Sequence, residues 1–448
     1  MSAIPDLVRS AALAAPDRVA VEAEDGVWTW ATLDAAVEGC ARWLAGRPGP
    51  VCIAGPAGAG FMAWLFAAAR VGAVALPLSA DAPVRAAVLE AVGPHVLVHT
   101  EDLPALCAPT AERFWPLDEV RLQVATSGST GAPRLVPITM NQLVFSAFGA
   151  LLRLGHVPGE RWLACLPLVH VGGLAILYRT VFAAGTVVIE PFEARRTAAR
   201  LDSGRIHRVS LTPTMLADVL DARAEAPFPE ALRTLLVGGA ACPPALVARC
   251  AALGAPVALT WGLTEAASQV CTRWPGDLDP EVGVGPPLAF ARVDAEADGT
   301  LVVRGPLVAQ GLERTSDSGW VDARGRVHVR GRTDTVIVSG GAKIDGSAIE
   351  AALCAHPAVR AAVVVGVPDD RYGERPVALL VAAGTERPEA ALRAWCQARV
   401  GRFAAPDGFL WCTELPRTGA LGKVDRAAAR RMLHEVAQGG TAWKWQPE

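Results

Sequence analysis

Short apolar runs alternate with longer Ala- and Leu-rich segments from residue 33 to about residue 190. Short apolar runs suit buried strands, whereas longer apolar-rich segments suit helices. The runs are VCIA, VALPL, HVLVHT and GTVVIE, and the longer segments include FMAWLFAAARVGA and QLVFSAFGALLRL. The alternation therefore predicts an α/β fold in which most strands are parallel and buried.

The alternation changes character twice along the chain. It continues through RVSLTPTMLADVLDA, TLLVGGA and VALTWGLTEAAS, and short Gly- and Pro-containing strands then follow in VGVGPPL and GTLVVRGPLVAQGL. After the polar, glycine-rich GRTDTVIVSGGAKID a fresh α/β alternation begins. We therefore predict a large N-terminal domain, residues 1–332, of mostly parallel sheets flanked by helices plus a β-rich subdomain, and a small α+β C-terminal domain, residues 333–448.

The charge balance argues for a small-molecule partner. The 448 residues include 42 Lys and Arg against 45 Asp and Glu, for a net charge of -3. Such a balance gives no electrostatic reason to expect a nucleic acid or a membrane surface as partner. The sequence therefore predicts binding of small molecules, without nucleic acid.

The cysteines and the N-terminus indicate the cellular compartment. Ten cysteines occur without a C-x-x-C pair, which argues against a zinc ribbon, a redox motif or a disulfide framework and favours reduced core thiols. The N-terminus lacks a signal-peptide pattern, and Arg70 interrupts the longest apolar segment, residues 61–78. These features predict a cytoplasmic protein that does not insert into a membrane.

The segment TSGSTGAPRLVPIT, residues 126–139, is the most informative one for chemistry. Small residues let backbone N–H groups turn inward, hydroxyls add donors and Arg134 adds positive charge, as in a phosphate-cradling loop. It is not a Walker A loop, and a Ser/Gly-rich surface turn is the alternative. The predicted phosphate-binding residues are Thr126, Ser127, Gly128, Ser129, Thr130, Gly131 and Arg134.

This loop resembles the phosphate-binding signature of the adenylate-forming superfamily, which includes acyl-CoA synthetases, luciferases and the adenylation domains of peptide synthetases. Further segments match in the family's order as far as Lys423. The resemblance implies an enzyme that uses ATP and Mg²⁺ to form an acyl-adenylate and then passes the acyl group to coenzyme A. It also implies a mobile C-terminal domain and leaves a homodimer open.

The segment VGGAACPP resembles the family's adenine-binding turn. The resemblance implies that Gly238, Gly239 and Ala240 let the purine lie close against the backbone. A plain strand-to-helix turn is the alternative.

The segment TWGLTEAAS resembles the family's aromatic-Gly-x-Thr-Glu motif. The resemblance implies that Trp261, followed by Gly262, stacks on adenine, that Thr264 contacts phosphate and that Glu265 holds magnesium. A carboxylate suits that hard cation. Alternatively, Glu265 is an acid at a helix start, where the dipole favours it.

Two later segments resemble the ribose site and the catalytic lysine of the family. In RTSDSGWVDARGRVHVRGRTD, Asp317 resembles the aspartate that binds both ribose hydroxyls, and Arg332 the arginine before the hinge, with Ser316 in place of the usual glycine. In PRTGALGKVDR, Lys423 resembles the lysine that offsets charge as carboxylate and α-phosphate meet. The alternatives are a turn aspartate and a solvated lysine.

The resemblance also implies a hinge and a face for the thiol. Asp334 is the hinge candidate, and Ser339, Gly340, Gly341 and Lys343 belong to the loop brought to coenzyme A. Ala342-Lys343 and Asp345-Gly346 depart from the family's usual residues there, as does Arg134 in the phosphate loop, where lysine is usual.

The segments CLPLVHVGGLAILYRTVFAAGTVVIEPF, RVSLTPTML and TEAASQV most resemble the o-succinylbenzoate–CoA ligases of menaquinone biosynthesis. Their substrate carries a second carboxylate, which needs a cation inside an apolar pocket. Arg179, within LAILYRTVFAAG, is our candidate, because an unpaired guanidinium is costly to bury. Alternatively, Arg179 reaches solvent or pairs with an acid such as Glu190.

The resemblance implies that four further residues line the pocket for the substrate acid. Ser210 and Ser268 fall at polar substrate contacts, and His170 and Gly172 at the pocket entrance. Other functions remain open at this point: another aryl- or acyl-CoA ligase, an adenylation enzyme that loads a carrier protein, or a non-catalytic nucleotide-binding regulator.

Overall fold

The computed structural model describes residues 3–109, 113–127, 133–223, 225–279, 282–332, 335–369, 371–418 and 423–438. The chain divides into two compact units, each with its own hydrophobic core. The first unit comprises residues 1–293, 302–313 and 321–327, and the second comprises residues 294–301, 314–320 and 328–448. The predicted domain limits of 1–332 and 333–448 stay a prediction.

The first 139 residues supply a mostly parallel sheet. In chain order the elements are β1 (Ala3–Pro5), α1 (Leu7–Ala14), β2 (Val19–Ala23), β3 (Gly26–Thr29), α2 (Trp30–Leu44), β4 (Val51–Ala54), α3 (Ala59–Val71), β5 (Ala75–Pro77), α4 (Ala82–Val92), β6 (Val96–His99), β7 (Phe114–Pro116), β8 (Val120–Ser127) and β9 (Pro133–Thr139). The spatial order of the sheet is β6-β4-β5-β8-β9. All its neighbours are parallel except β8 and β9, which are antiparallel.

The next segment builds a larger sheet. Its elements are α5 (Met140–Leu154), β10 (Arg161–Ala164), α6 (Val171–Phe182), β11 (Thr186–Ile189), α7 (Ala194–Asp202), β12 (Arg208–Leu211), α8 (Pro213–Ala222), β13 (Thr234–Val237), α9 (Pro244–Ala252), β14 (Val257–Leu263) and β15 (Ser268–Thr272). The order is β15-β14-β13-β12-β10-β11-β2-β3, with antiparallel pairs only at the two ends. The predicted α/β class with mostly parallel sheets flanked by helices is confirmed.

Arg70 shows why one charge interrupts the apolar segment of α3. Its buried guanidinium forms ion pairs with Asp6 at 2.7 Å, Asp34 at 2.7 Å and Glu38 at 3.3 Å. A buried charge is tolerated only when it is paired and hydrogen-bonded. The network therefore ties α3 to α2 and to the residue that caps α1.

A small sheet follows, as the Gly- and Pro-containing strands predicted. It contains β16 (Arg292–Ala295), β17 (Thr300–Arg304), β18 (Leu312–Val321) and β19 (Val327–Arg332), in that order. The VGVGPPL segment differs from the prediction, because residues 282–288 form turns with one isolated bridge between Pro287 and Cys271.

The C-terminal α+β region has helices on both faces of one sheet. Its elements are β20 (Val336–Ser339), β21 (Ala342–Asp345), α10 (Gly346–Cys354), β22 (Val359–Asp369), β23 (Gly373–Ala382), α11 (Glu389–Val400), β24 (Gly408–Cys412), β25 (Arg417–Thr418), β26 (Lys423–Val424) and α12 (Arg426–Gln438). Alternate residues of β22 and β23 face α10 and α11 on one side and α12 on the other.

All ten cysteines lie within the described ranges, and each is a free thiol. No helix in these ranges has the length and hydrophobicity that a membrane span requires.

Candidate active site

The two flanks of the predicted phosphate loop form a β-hairpin. Thr126 in β8 pairs with Arg134 in β9, and the Thr126 hydroxyl donates to the Arg134 carbonyl at 3.2 Å. Gly128, Ser129, Thr130 and Gly131 lie outside the described residues, as does the side chain of Ser127. Residues 133–139, expected to belong to the loop, form β9 instead. This strand tolerates two prolines because it lies at the edge of its sheet.

Helix α5 joins this hairpin to the predicted magnesium-binding motif. Thr139 and Gln142 form a capping box at its start. Gln142 also donates from Nε2 to the Glu265 carbonyl at 2.6 Å, and the Ser146 hydroxyl donates to the Ala267 carbonyl at 3.0 Å. The turn that carries Glu265 is therefore fixed against the helix that follows the phosphate hairpin.

Arg134 and Glu265 form an ion pair, with 3.3 Å between Nη2 and Oε1. Glu313 lies in the same electrostatic environment: burial and then the charge of Glu265 raise its pKa, and Arg134 opposes this. Within the described ranges no three His, Cys, Asp or Glu side chains gather into a metal site. Magnesium needs only one or two protein carboxylates when phosphates and water complete its shell, so Glu265 fits that ion.

Two glycines of the predicted adenine site lie where a side chain would collide with its neighbours. A Cβ on Gly238 would lie 2.6 Å from Cγ2 of Thr260, and one on Gly262 would lie 1.7 Å from the Ser268 carbonyl oxygen. Gly239 adopts φ +83°, and Ala240 follows it in an exposed turn. Because β13 and β14 are neighbours, the structure brings this turn close to the strand that carries Trp261, itself 8% exposed.

Arg179 lies in the last turn of α6 and is 1% exposed. Its Nη2 donates to the Ser268 hydroxyl at 3.3 Å, and no described carboxylate forms an ion pair with it. Glu190 instead pairs with Arg196 and Arg200, so among the described residues the guanidinium of Arg179 has neither Glu190 nor solvent as its partner. Burial lowers the pKa of Arg179 to about 9, which leaves the guanidinium charged at neutral pH.

Trp162 links Arg179 to a second predicted substrate residue. The guanidinium carbon of Arg179 is 5.6 Å from the indole centroid, and the indole N–H of Trp162 donates to the Ser210 hydroxyl at 3.1 Å. Arg179, Ser210 and Ser268 are therefore brought together. His170 and Gly172 are not: they begin α6, and Gly172 is about 10 Å from Arg179 along the helix axis.

Asp317 and Arg332 belong to the second unit. In β18 the Asp317 N–H donates to the Thr315 hydroxyl at 3.0 Å. The Arg332 carbonyl, at the end of β19, accepts from the Thr335 hydroxyl at 2.7 Å. Asp334, the hinge candidate, lies outside the described residues.

The segment predicted to face coenzyme A is a tight hairpin between β20 and β21. Gly340 and Gly341 adopt φ +53° and +81°, as a two-residue turn between twisted strands requires. Ser339 is fully buried and accepts from Arg375 at 3.3 Å. The side chains of Lys343 and Lys423 are outside the description, although Lys423 begins β26 opposite Thr418.

Comparison with models of known protein families identifies the family of this chain. A model described as AMP-binding enzyme matches residues 8–125 and 118–312, and one described as AMP-binding enzyme C-terminal domain matches residues 348–421. The chain belongs to the AMP-binding enzyme family. The predicted resemblance to adenylate-forming enzymes is thereby confirmed.

Relatives of this AMP-binding enzyme match it along almost its whole length. A 2-succinylbenzoate–CoA ligase of Bacillus cereus (strain ATCC 10987 / NRS 248) is 30% identical, with 97% of this chain and all of the relative covered. A Bacillus subtilis o-succinylbenzoate CoA synthetase solved with its acyl-adenylate intermediate is 27% identical, with a TM-score of 0.85 and full coverage of both chains. The same synthetase solved with ATP and magnesium is 26% identical, with a TM-score of 0.84 and coverage of 97% and 100%.

Sequence reasoning missed three residues that shape the site of this AMP-binding enzyme. Trp162 connects Arg179 with Ser210, Gln142 holds the Glu265 turn, and Glu313 lies close enough to Glu265 for the two carboxyl groups to interact. A structural role for Gln142 could have been predicted from the sequence, because Thr139 three residues before it completes a capping-box pattern. The roles of Trp162 and Glu313 could not, because they depend on contacts between segments distant in sequence.

Proposed function

We propose that this chain joins o-succinylbenzoate to coenzyme A through an o-succinylbenzoyl-adenylate. It is an AMP-forming acid–thiol ligase that uses ATP, Mg²⁺ and coenzyme A. The observation that carries the choice of acid is the buried, charged Arg179, which contacts Ser268 three residues after Glu265. A substrate with a second carboxylate supplies the counter-charge that the described residues do not provide.

The relatives support this acid. The Bacillus cereus protein is a 2-succinylbenzoate–CoA ligase, and the Bacillus subtilis synthetase binds the corresponding acyl-adenylate. Both match this chain over at least 97% of its length. We assign the reaction to menaquinone biosynthesis and the enzyme to the cytoplasm, where ATP and coenzyme A are its co-substrates.

In the first half-reaction two anions must meet, the substrate carboxylate and the α-phosphate. Backbone N–H groups and hydroxyls of residues 126–131, the guanidinium of Arg134 and the hydroxyl of Thr264 are assigned to the phosphates. Glu265 holds magnesium, which when bound neutralises charge on the departing pyrophosphate. Because Arg134 forms an ion pair with Glu265, its guanidinium lies beside the proposed magnesium ligand, where this charge develops.

The nucleoside is assigned to the residues that the resemblance implies. Gly238, Gly239 and Ala240 admit the adenine against the backbone, and Trp261 and Gly262 form the neighbouring strand. Asp317 accepts hydrogen bonds from the ribose hydroxyls, and Arg332 precedes the hinge.

The acid occupies the region around Arg179, Ser210 and Ser268. Its second carboxylate binds the guanidinium, and its reacting carboxylate points towards Thr264 and Glu265, which precede Ser268 in the chain. His170 and Gly172, at the other end of α6, line the entrance.

The second half-reaction is assigned to a rotation of residues 333–448 about Asp334. Lys423 acts on the carboxylate and α-phosphate during adenylation, and the rotation brings the hairpin from Ser339 to Lys343 to coenzyme A. Proline at position 334 should impair one half-reaction far more than the other. Equal losses of adenylation and thioester formation would remove the hinge assignment.

ATP–pyrophosphate exchange tests the proposed acid. The panel contains o-succinylbenzoate, benzoate, other aromatic acids and medium-chain fatty acids, each with the wild type, Arg179→Ala and Arg179→Lys. We expect strong exchange with o-succinylbenzoate, lost with Ala and partly kept with Lys. Preference for a monocarboxylate that Arg179→Ala leaves unchanged contradicts the proposal for o-succinylbenzoate.

Two further assays complete the assignment. Thioester formation with free coenzyme A separates this function from the loading of a carrier protein. Light scattering at several concentrations tests the homodimer that the resemblance leaves open.

A further inference from the structure

Trp162 and Ser210 face the same side of the large sheet. Trp162 in β10 pairs in register with Arg208 in β12, and Ser210 follows two residues later. Since side chains alternate along a strand, positions 208 and 210 share one face. The indole N–H reaches diagonally to the Ser210 hydroxyl at 3.1 Å, with both residues buried.

This hydrogen bond determines whether the Ser210 hydroxyl donates to a further group or accepts from it. An indole N–H only donates, so the Ser210 oxygen is the acceptor and its own proton must point to another acceptor. Among the described residues the structure provides none. The Ser210 hydroxyl is therefore oriented as a donor.

Ser268 is oriented by the same logic. Arg179 has donors only, so its bond to the Ser268 oxygen leaves the Ser268 proton for another acceptor. The Nε of Arg179 is also buried without an acceptor in the described part of the chain. Three groups around Trp162 thus each keep an unused donor, an arrangement that suits carboxylate and carbonyl oxygens.

We propose that Trp162 is a positioning residue for the acid: it orients the Ser210 hydroxyl to donate to an oxygen at the non-reacting end of the substrate. This inference rests on the proposed function for the existence of an acid at this place. Through Ser210, Trp162 thereby favours acids with several acceptor oxygens over acids with a single carboxylate.

The indole is held firmly enough for this role. Trp162 is 0% exposed, and His156 packs edge-on against it with 5.3 Å between ring centroids. The guanidinium carbons of Arg179 and Arg208 lie 5.6 Å and 6.0 Å from the same ring. Arg208 is fixed in turn by Glu160 at 2.8 Å. A ring with neighbours on several sides cannot turn its N–H away without moving them.

The test compares Trp162→Phe with Trp64→Phe. Trp64 is a matched control, because its buried indole also donates one hydrogen bond, to the His99 carbonyl, away from this site. ATP–pyrophosphate exchange gives kcat and KM for o-succinylbenzoate and for ATP. We expect Trp162→Phe to raise the KM for o-succinylbenzoate about 10-fold, with kcat and the KM for ATP nearly unchanged. Trp64→Phe should change none of these constants.

A double-mutant cycle with Ser210→Ala separates positioning from packing. If Trp162 acts through Ser210, Trp162→Phe should add little to the KM of Ser210→Ala. Independent, multiplying effects on KM, or an unchanged KM in Trp162→Phe, overturn the inference. Should Trp162→Phe fail to fold, Ser210→Ala tests the donation on which the inference depends, because it leaves the indole packed: a KM raised about 10-fold supports the inference, and an unchanged KM overturns it.

Failure of this inference is distinguishable from failure of the proposed function. If the wild type activates a different acid, the proposed substrate fails, and the same KM comparison with that acid still tests Trp162. If the wild type uses o-succinylbenzoate and the two tryptophan variants behave alike, only the role of Trp162 fails.

Discussion

Arg179 donates to the hydroxyl of Ser268, a residue whose backbone lies at φ +112°. Each half of this contact is unfavourable on its own, since a buried guanidinium lacks a described counter-ion and a non-glycine residue occupies a strained conformation. Both costs fall at the proposed acid pocket. Such unfavourable features persist where function requires them.

Arg179→Met should stabilise the protein while it removes activity towards o-succinylbenzoate. Replacing a buried, unpaired charge by an apolar side chain of similar length should raise the free energy of unfolding by about 1–2 kcal/mol. Denaturant unfolding measures this. Arg208→Met is the contrast, because it leaves buried Glu160 with only its longer pair to the exposed Arg233 and should destabilise. A similar loss of stability in both variants would contradict the proposed unpaired state of Arg179.

Ser268→Gly and Ser268→Ala should separate backbone strain from the hydroxyl. Glycine relieves the strain at φ +112°, so the free energy of unfolding should exceed that of the alanine variant by about 1 kcal/mol. Both variants lose the hydroxyl and should raise the KM for the acid alike. Equal stabilities by thermal unfolding would show that the conformation carries no strain.

The stability of the protein should fall between pH 6.5 and pH 4 because of His156. Burial, followed by the charge of Arg208, lowers the pKa of this imidazole to about 4. The unfolded chain binds the proton first, so the stabilisation is fully present above about pH 6.5 and lost as pH falls to 4, a change of about 3 kcal/mol. His156→Gln should flatten this part of the pH profile of unfolding, as measured by denaturant unfolding at several pH values.

Glu265→Gln should abolish adenylation with little effect on stability. Loss of the proposed magnesium ligand should lower the exchange rate at least about 100-fold. The pair with Arg134 is largely exposed on the arginine side, so the free energy of unfolding should change by less than about 1 kcal/mol. Partial recovery at high Mg²⁺ would support the assignment. Glu296→Gln is the control, since it makes the same charge change at an exposed ion pair with Arg314.

The sequence predicted the class of the fold better than the details of the site. Runs such as VCIA and FMAWLFAAARVGA lie in β4 and α3, because burial imposes a periodicity that one sequence displays. Strand β9 was not predicted, since two prolines in seven residues usually argue against a strand and only its edge position permits them.

The contacts of the site depend on tertiary structure. Arg179 was predicted from its place in an apolar helix, but its partner Ser268 came from resemblance, and the φ of Ser268 left no trace in the sequence. Trp162 reads as an ordinary strand residue. Its hydrogen bond depends on the register of β10 against β12, which the sequence does not reveal.

Gly262 connects the strand proposed to bind adenine with Ser268, which is proposed to bind the acid. Its α-carbon approaches the Ser268 carbonyl so closely that no side chain fits, and the strand register shifts at this point. The adenine-side strand and the acid-side serine therefore cannot be displaced independently. By thermodynamic reciprocity, whatever bound nucleotide does to the affinity for the acid, the acid does in equal measure to the affinity for nucleotide.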